Sequence, residues 1–488
     1  MRIPSRIDRN LIVSAPPGEG KTTGVINNLD KYLNQFNRVI ILEPTTAIIH
    51  ELERYLGDFR YLADDGTGSN WSQYDVIVTT YERADHILLF NDRLASNSLI
   101  VIDEVHFLAS RATPIVSILG NCRDKARFIL MSATVPDIDI LRKYLDAEVL
   151  KCERKGNVDV NIYRWSFRIL GSIVEKERKP TIIFVPTRRD CEIIACKLNA
   201  KPFHSGLSDD NRNKALKDFE EGKIDCLVST TALAYGINTP TERVIIVMAD
   251  FFKAVDVIQM IGRAGRFSNH AEAHIFISSE KQYLTVKKAL RGEFEKINVD
   301  DVESLLLRLI KAGKVSRNIY AVKKEYIGVR EVYKPFCKLV SEKLVYPDMR
   351  LTKPGHLLAK YYLPVHEFLK VKPLLPRPPN LYALAKALNL DFNCLIRPNG
   401  DTLRTVDKLE RFSSLLYDLT YKKGWFKLAQ NLHLAKLAIE TGNLSKVPLI
   451  LHFSSDERSR GRFSAEKSNY GVRAIRSRCI VQREARGS

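Results

Sequence analysis

Over the first 150 residues, short apolar runs alternate with amphipathic stretches. The runs are LIVSA (11–15), RVIILEP (38–44), DVIVTT (75–80), LIVIDEV (99–105) and RFILMSAT (127–134), and AIIHELERYL (47–56) typifies the segments between them. Each run is rich in β-branched residues, too short for an ordinary helix, and closes in a polar loop. Continuous apolar runs predict strands buried on both faces, and their alternation with helices predicts a parallel sheet covered on both sides. The pattern restarts near residue 158 with TIIFVPT (181–187), KIDCLVST (223–230), RVIIVMAD (243–250) and AHIFISS (273–279). Helical stretches RRDCEIIACKLN (188–199) and NRNKALKDFEEG (211–222) separate them. A second α/β domain is therefore expected.

Around residues 286–300 the alternation stops. NVDDVESLLLRLIKAGKV (298–315) predicts a helix capped at Asp300, with Glu303 three residues on and Gly313 at its end. EVYKPFCKLVSEKLV (331–345) predicts a helix kinked or restarted at Pro335. MRLTKPGHLLAKYYLP (349–364) reads as a turn and strand, so 286–371 has the outline of a winged-helix-like module. KPLLPRPPN (372–380) is a Pro-rich linker, followed by helical patterns at 405–419 and 424–440. The expected order is α/β domains over 1–157 and 158–285, the small module over 286–371, a helical domain over 372–456 and a basic tail over 457–488.

Composition changes this picture in one respect. Lys and Arg number 76 against 57 Asp and Glu, a formal net charge of +19 on 488 residues, which favours a polyanionic partner. The eight cysteines are scattered without a metal-ligand spacing, as suits a reducing compartment. The N-terminal stretch MRIPSRIDRN is polar, and no apolar run reaches about 18 residues. A cytoplasmic chain that crosses no membrane and acts as a single copy is expected.

The candidate chemistry lies at the ends of the apolar runs, where open parallel sheets place their working residues. Ala15, Pro16, Pro17, Gly18, Glu19, Gly20, Lys21, Thr22 and Thr23 join a strand to a helix through a glycine-containing loop. Such a loop cradles a nucleoside triphosphate: Lys21 would reach the β- and γ-phosphates, and the Thr22 hydroxyl would reach Mg2+. Strict spacing would have Gly at Ala15. Asp103 and Glu104 end another strand, where an Asp holds Mg2+ beside the phosphate loop and a Glu polarises water. His106 follows them, and Ser132 and Thr134 end the next strand with hydroxyls able to bond back to that loop. In QMIGRAGR (259–266), Arg263 and Arg266 would reach across a cleft to the γ-phosphoryl group. Taken alone, such a run is more often a basic turn.

The ordered set APPGEGKT, EPTTA (43–47), TTYERAD (79–85), DEVH (103–106), SAT (132–134), IIFVPTRR (182–189), FHSGL (203–207), STTALAYGINTP (229–240) and QMIGRAGR resembles a superfamily-two helicase. Its wording is most similar to the Ski-type branch, with its archaeal DNA-repair and exosome-associated RNA helicases. The resemblance covers about residues 11–280 and implies two tandem RecA-like domains. It implies an ATPase centre of Lys21, Thr22, Asp103 and Glu104, completed by Gln259, Arg263 and Arg266, with Gly236 also near the nucleotide. ATP and Mg2+ would be the cofactors. The partner would be single-stranded or tailed duplex DNA or RNA, tracked 3′ to 5′. Thr45, Thr46, Thr80, Glu82 and Arg83 would contact the strand from the first domain. Arg188, His204, Thr230, Thr231 and Asn238 would do so from the second.

Two departures temper what the family implies. The 14 residues before Ala15 hold no Gln of the kind that reads adenine, so triphosphate hydrolysis is expected more firmly than ATP specificity. The stretch from Asn238 to Gln259 is short for a strand-splitting hairpin. Phe251 and Phe252 would tip a stub or pack in the core. A nucleic-acid clamp that does not unwind is the alternative to a helicase. Helix 424–440 would touch the strand or pack as core, and the Arg-rich tail would clamp phosphates or remain solvated.

Overall fold

A computed structural model describes residues 2–16, 19–57, 59–64, 70–152, 158–207, 209–234, 239–265, 271–315, 318–376, 380–390, 393–396 and 401–440, with 447 and 451. The chain divides into two compact units, 1–369 and 370–488. The first holds both sheets.

The first sheet comprises β1 (Asn10–Ser14), β2 (Arg38–Glu43), β3 (Tyr61–Asp64), β4 (Val76–Thr80), β5 (Ser98–Ile102), β6 (Ala126–Ser132) and β7 (Ala147–Lys151). Their order is β3-β4-β2-β5-β6-β1-β7, and every pairing is parallel. The second comprises β8 (Val158–Arg164), β9 (Thr181–Phe184), β10 (Lys201–Phe203), β11 (Cys226–Ser229), β12 (Arg243–Val247) and β13 (Ala271–Ile277). It runs β10-β11-β9-β12-β13-β8, again wholly parallel. The nine strands anticipated from apolar runs are the interior ones. The four additional strands, β3, β7, β8 and β10, are the two edges of each sheet. An edge strand is covered incompletely, so its sequence mixes polar with apolar residues: β8 reads VDVNIYR with alternating exposure.

Helices flank both sheets, and several begin where a short polar side chain accepts a backbone N–H. Thr80 caps Tyr81–Phe90, Thr187 caps Arg188–Leu198 and Ser279 caps Glu280–Leu290. Beyond the second sheet the anticipated helix forms as Val302–Lys311, but Asp301 rather than Asp300 caps it, accepting from Ser304 N. Asp300 instead accepts a hydrogen bond from Thr113 of the first domain. The helix around Pro335 starts upstream, at Tyr333, and ends at Ser341. Proline sits in its first turn, where the missing N–H would lack an intrahelical partner anyway, so no kink is needed. The expected strand at 349–364 is reduced to one antiparallel bridge, Val345 to Leu351. Thr352 accepts from Gly355 N and starts a helix, Lys353–Lys360, with Pro354 in its first turn.

In the second unit, helices Thr402–Thr420 and Lys423–Glu440 pack antiparallel. Lys436 reaches Asp407 at 2.8 Å and His433 reaches Glu410 at 2.9 Å, while Phe412, Leu415, Trp425, Leu432 and Ala435 are buried. Core packing thus occupies one face of 424–440. Among the described residues no helix is long and apolar enough to cross a membrane.

Candidate active site at the seam of the two sheets

The carboxyl ends of β1, β5 and β6 lie side by side, because β6 pairs with both of the others. The loop after β1 therefore faces the residues that follow β5 and β6. Ala15 N donates to Ser132 O at 3.1 Å and so begins the loop against the end of β6. Pro17 and Gly18 lie outside the described residues; Glu19 N donates back to Pro16 O. Gly20 has φ +71° and starts the helix Lys21–Ile26, a turn whose handedness a side chain would oppose. Lys21 is buried, and its Nζ donates to the carbonyls of Ala15 (2.8 Å) and Pro16 (3.0 Å). Thr23 faces solvent. The loop thus holds a buried ammonium at its centre, an arrangement that suits an anion.

Thr22 Oγ1 donates to Asp103 Oδ2 at 2.5 Å. Asp103 follows β5 directly, and the Tyr81 hydroxyl donates to its carbonyl at 2.6 Å. Consecutive residues on a strand point to opposite faces. β5 ends at Ile102, and in the turn beyond it Glu104 takes φ +48°, a conformation that costs roughly 1–2 kcal/mol for a residue with a side chain. Thr22 meets the Asp103 carboxylate, and His106 and Ser132 meet that of Glu104. Burial, with the adjacent Glu104 charge second, pushes the Asp103 carboxyl up, against Lys21 and Thr22. Burial opposes ionisation of Glu104 as well, but His106, Lys21 and Arg263 outweigh it and hold that carboxyl below its ordinary range. A divalent cation fits here: Thr22 and Asp103 converge as oxygen ligands, and a buried pair of carboxylates favours added positive charge.

His106 is buried, with Nδ1 3.1 Å from Glu104 Oε2 and 3.0 Å from Ser132 Oγ. Thr134 N donates to the same Ser132 hydroxyl. This cluster is reached from the second sheet. The helix Ala254–Ile261 carries Gln259, whose Nε2 donates to Thr134 Oγ1 at 3.3 Å and lies 3.4 Å from His106 Nδ1. Lys253, just before that helix, donates to Ala109 O at 2.5 Å. Arg263 follows the helix, is 2% exposed, and donates from Nε and one terminal nitrogen to Ala234 O at 3.2 and 2.9 Å. Its charge stabilises ionised Glu104 across the seam. Arg266, Gly236 and Asn238 lie outside the described residues.

The residues expected to follow a nucleic-acid strand fall on neighbouring strand ends. Thr45 and Thr46 follow β2 and are exposed, while Thr80 ends the adjacent β4 and caps the helix after it. Glu82 and Arg83 are engaged within the domain. Glu82 takes both oxygens to Arg111 at 2.5 Å, and Arg83 pairs with buried Asp64 at 3.0 Å. In the second domain, Arg188, His204 and Thr230 follow β9, β10 and β11, which are adjacent. Arg188 donates to Ser205 Oγ at 2.8 Å, and buried His204 meets Glu192 at 2.8 Å and accepts from Gly206 N at 3.2 Å. Thr230 N donates to Phe203 O at 3.3 Å, and Thr231 opens a short 3-10 turn.

Arg111, which nothing in the sequence marks, also joins this region. Besides Glu82, it donates to Pro44 O at 3.0 Å and lies over the Tyr81 ring at 5.7 Å. It joins the loops after β2 and β4 to the segment following Asp103 and Glu104. A lone Arg eight residues beyond Asp103 carries no local signal; only its partners reveal it.

Residues 3–141 match the DEAD/DEAH box helicase family, and residues 165–268 match the helicase conserved C-terminal domain. A probable ATP-dependent helicase of Methanocaldococcus jannaschii is 29% identical over 59% of this chain and 41% of its own length. The ATP-dependent DNA helicase Hel308 of Pyrococcus abyssi is 26% identical over 62% of this chain and 53% of its own length. The chain thus spans about half the length of these relatives or less. In fold it resembles the helicase Lhr of Mycobacterium smegmatis, solved with ssDNA and AMP-PNP. The match has a TM-score of 0.55 and 17% identity, covering 88% of this chain and 70% of that one.

Proposed function

We propose, from a chain that carries the paired domains of a superfamily-two helicase, an ATP-driven translocase or helicase that moves along one nucleic-acid strand. The observation that carries this reading is the reach of the helix Ala254–Ile261 across the seam, where Gln259 meets Thr134 and His106 beside Glu104. A site built from two domains can open and close with each turnover, and so convert hydrolysis into displacement.

In this reading Lys21 exchanges its loop carbonyls for the β- and γ-phosphates of ATP. Thr22 and Asp103 would hold Mg2+, which when bound neutralises phosphate charge. Glu104, kept ionised, orients the attacking water and accepts its proton, while His106 and Ser132 fix the carboxylate. Gln259 and Arg263 complete the centre from the second domain, and Arg263 stabilises charge as the γ-phosphoryl transfers. Thr45, Thr46, Thr80, Arg188, Thr230 and Thr231 sit at strand ends that suit phosphate contacts, which position a strand without reading its sequence. Arg111 links those strand ends to the hydrolytic loop. The DEVH, FHSGL, YGINTP and QMIGRAGR wordings support a Ski-type member, and with it 3′-to-5′ movement. The Hel308 relatives are DNA helicases, which favours DNA as the strand.

The test is ATP hydrolysis with and without single-stranded DNA or RNA, paired with displacement of a tailed duplex. Stimulation by one strand type and displacement that needs Mg-ATP are expected; hydrolysis indifferent to both polymers would defeat the reading. A clamp without unwinding is favoured by one feature. Of the two aromatics before helix Ala254–Ile261, Phe252 is packed in the core and only Phe251, 61% exposed, stands out. Stimulated hydrolysis without displacement would select that alternative.

A further inference from the structure

The helix Ala254–Ile261 delivers Gln259 and leads into Arg263, so its aim matters to the site. The first N–H groups of a helix have no acceptors within it. Asp256 Oδ2 accepts from Lys253 N at 2.8 Å. The next two donors are met from beyond the second sheet: Ala254 N donates to Glu295 Oε1 at 2.7 Å, and Val255 N to Glu295 Oε2 at 3.3 Å.

Glu295 lies in the irregular strap between helices Glu280–Leu290 and Val302–Lys311. Two residues on, Ile297 N donates to Asp137 Oδ2 at 2.8 Å. Asp137 precedes the helix Ile138–Leu145 and lies three residues beyond Thr134, which Gln259 touches. The strap is itself pinned. Ile297 is buried, Val299 N donates to Gly328 O at 3.4 Å, and a side chain at Gly328 would strike Ile297 at 2.6 Å. One short segment therefore holds the second domain's helix by a carboxylate and the first domain's turn by its backbone.

We propose that Glu295 is a positioning residue for the hydrolytic site, an assignment that rests on the ATPase reading above. Its carboxylate satisfies two orphan donors at the positive end of the helix dipole and fixes the direction in which Gln259 and Arg263 project. Among the described residues its hydrogen bonds go to Ala254 and Val255, so it acts through the helix. Because reacting groups tolerate little displacement, a small swing of this helix lowers turnover without weakening nucleotide binding to Lys21 and Thr22.

The experiment compares wild type, Glu295→Ala and Glu295→Gln in the full chain. It measures kcat and KM for strand-stimulated ATP hydrolysis, the thermal midpoint, and amide hydrogen exchange at Ala254 and Val255. Glu295→Ala is expected to lower kcat about tenfold or more with KM within about twofold, and to speed exchange at both amides. Glu295→Gln keeps one strong acceptor and should recover most of kcat. Wild-type kcat in the Ala variant overturns the proposal, as does a joint loss of kcat, KM and thermal midpoint that Gln does not rescue. If wild type hydrolyses no ATP, the hydrolytic reading fails; unchanged amide exchange in the Ala variant defeats the cap itself.

Discussion

Replacing Glu104 by Gln removes one charge while keeping size and one carbonyl acceptor. In the structure this carboxylate faces His106 Nδ1 at 3.1 Å and Ser132 Oγ at 3.5 Å, and is kept ionised by His106, Lys21 and Arg263 against its burial. An amide can still occupy that place, so the fold and the phosphate loop should be little altered. It cannot take a proton from water. Losing a positioned general base costs about 10²–10⁴ in rate, equivalent to roughly 3–5 kcal/mol of barrier. Nucleotide binding should survive, since Lys21 and Thr22 are untouched and the charge crowding Asp103 is relieved. Phosphate release would be followed with saturating single strand, and affinity by equilibrium titration of a fluorescent ATP analogue. The expected result is kcat down at least about 100-fold with affinity within about threefold. A variant that turns over like wild type would remove Glu104 from the chemistry, and with it the purpose of the left-handed backbone there.

Lys21→Ala should abolish hydrolysis and also weaken nucleotide binding in the same titration, because it deletes the buried charge of the loop. Gln259→Ala should lower kcat about tenfold with ATP affinity preserved, since it cuts only the contacts to Thr134 and His106 across the seam; an equal fall in affinity would count against its role. Asp85→Ala leaves Arg308 buried beside Tyr362 without the carboxylate 3.3 Å away. A loss of about 3–5 kcal/mol is expected, seen as a thermal midpoint lower by roughly 5 °C or more. Asp92, hydrogen-bonded to Lys125 and Lys314, has its carboxyl drawn down to about 2 from 3.8. Its stabilisation is complete above pH 3.8 and lost as the pH falls toward 2. Solvent screening keeps it below about 1 kcal/mol. Urea midpoints of Asp92→Asn should therefore fall less than those of wild type between these limits.

By itself the sequence determined the interior of both sheets, because a strand buried on both faces must be apolar along its whole length. The strands legible as apolar runs are the central ones, and β3, β7, β8 and β10 escaped because a sheet edge imposes no such composition. The meeting of the loop after β1 with Asp103 was legible for a related reason: a strand, a tight loop and a helix start demand particular residues at short spacing. Tertiary structure alone decided which charges are spent inside the domain. Nothing local in the sequence shows that Glu82 pairs with Arg111 and Arg83 with Asp64. Asp301 rather than Asp300 caps its helix because Thr113, far away in sequence, takes the other carboxylate. Glu295 carried no signal at all, and its role exists only where the chain passes the Ala254–Ile261 helix. Burial is written locally, residue by residue, whereas the partner of a buried charge is chosen by the topology that brings distant segments together.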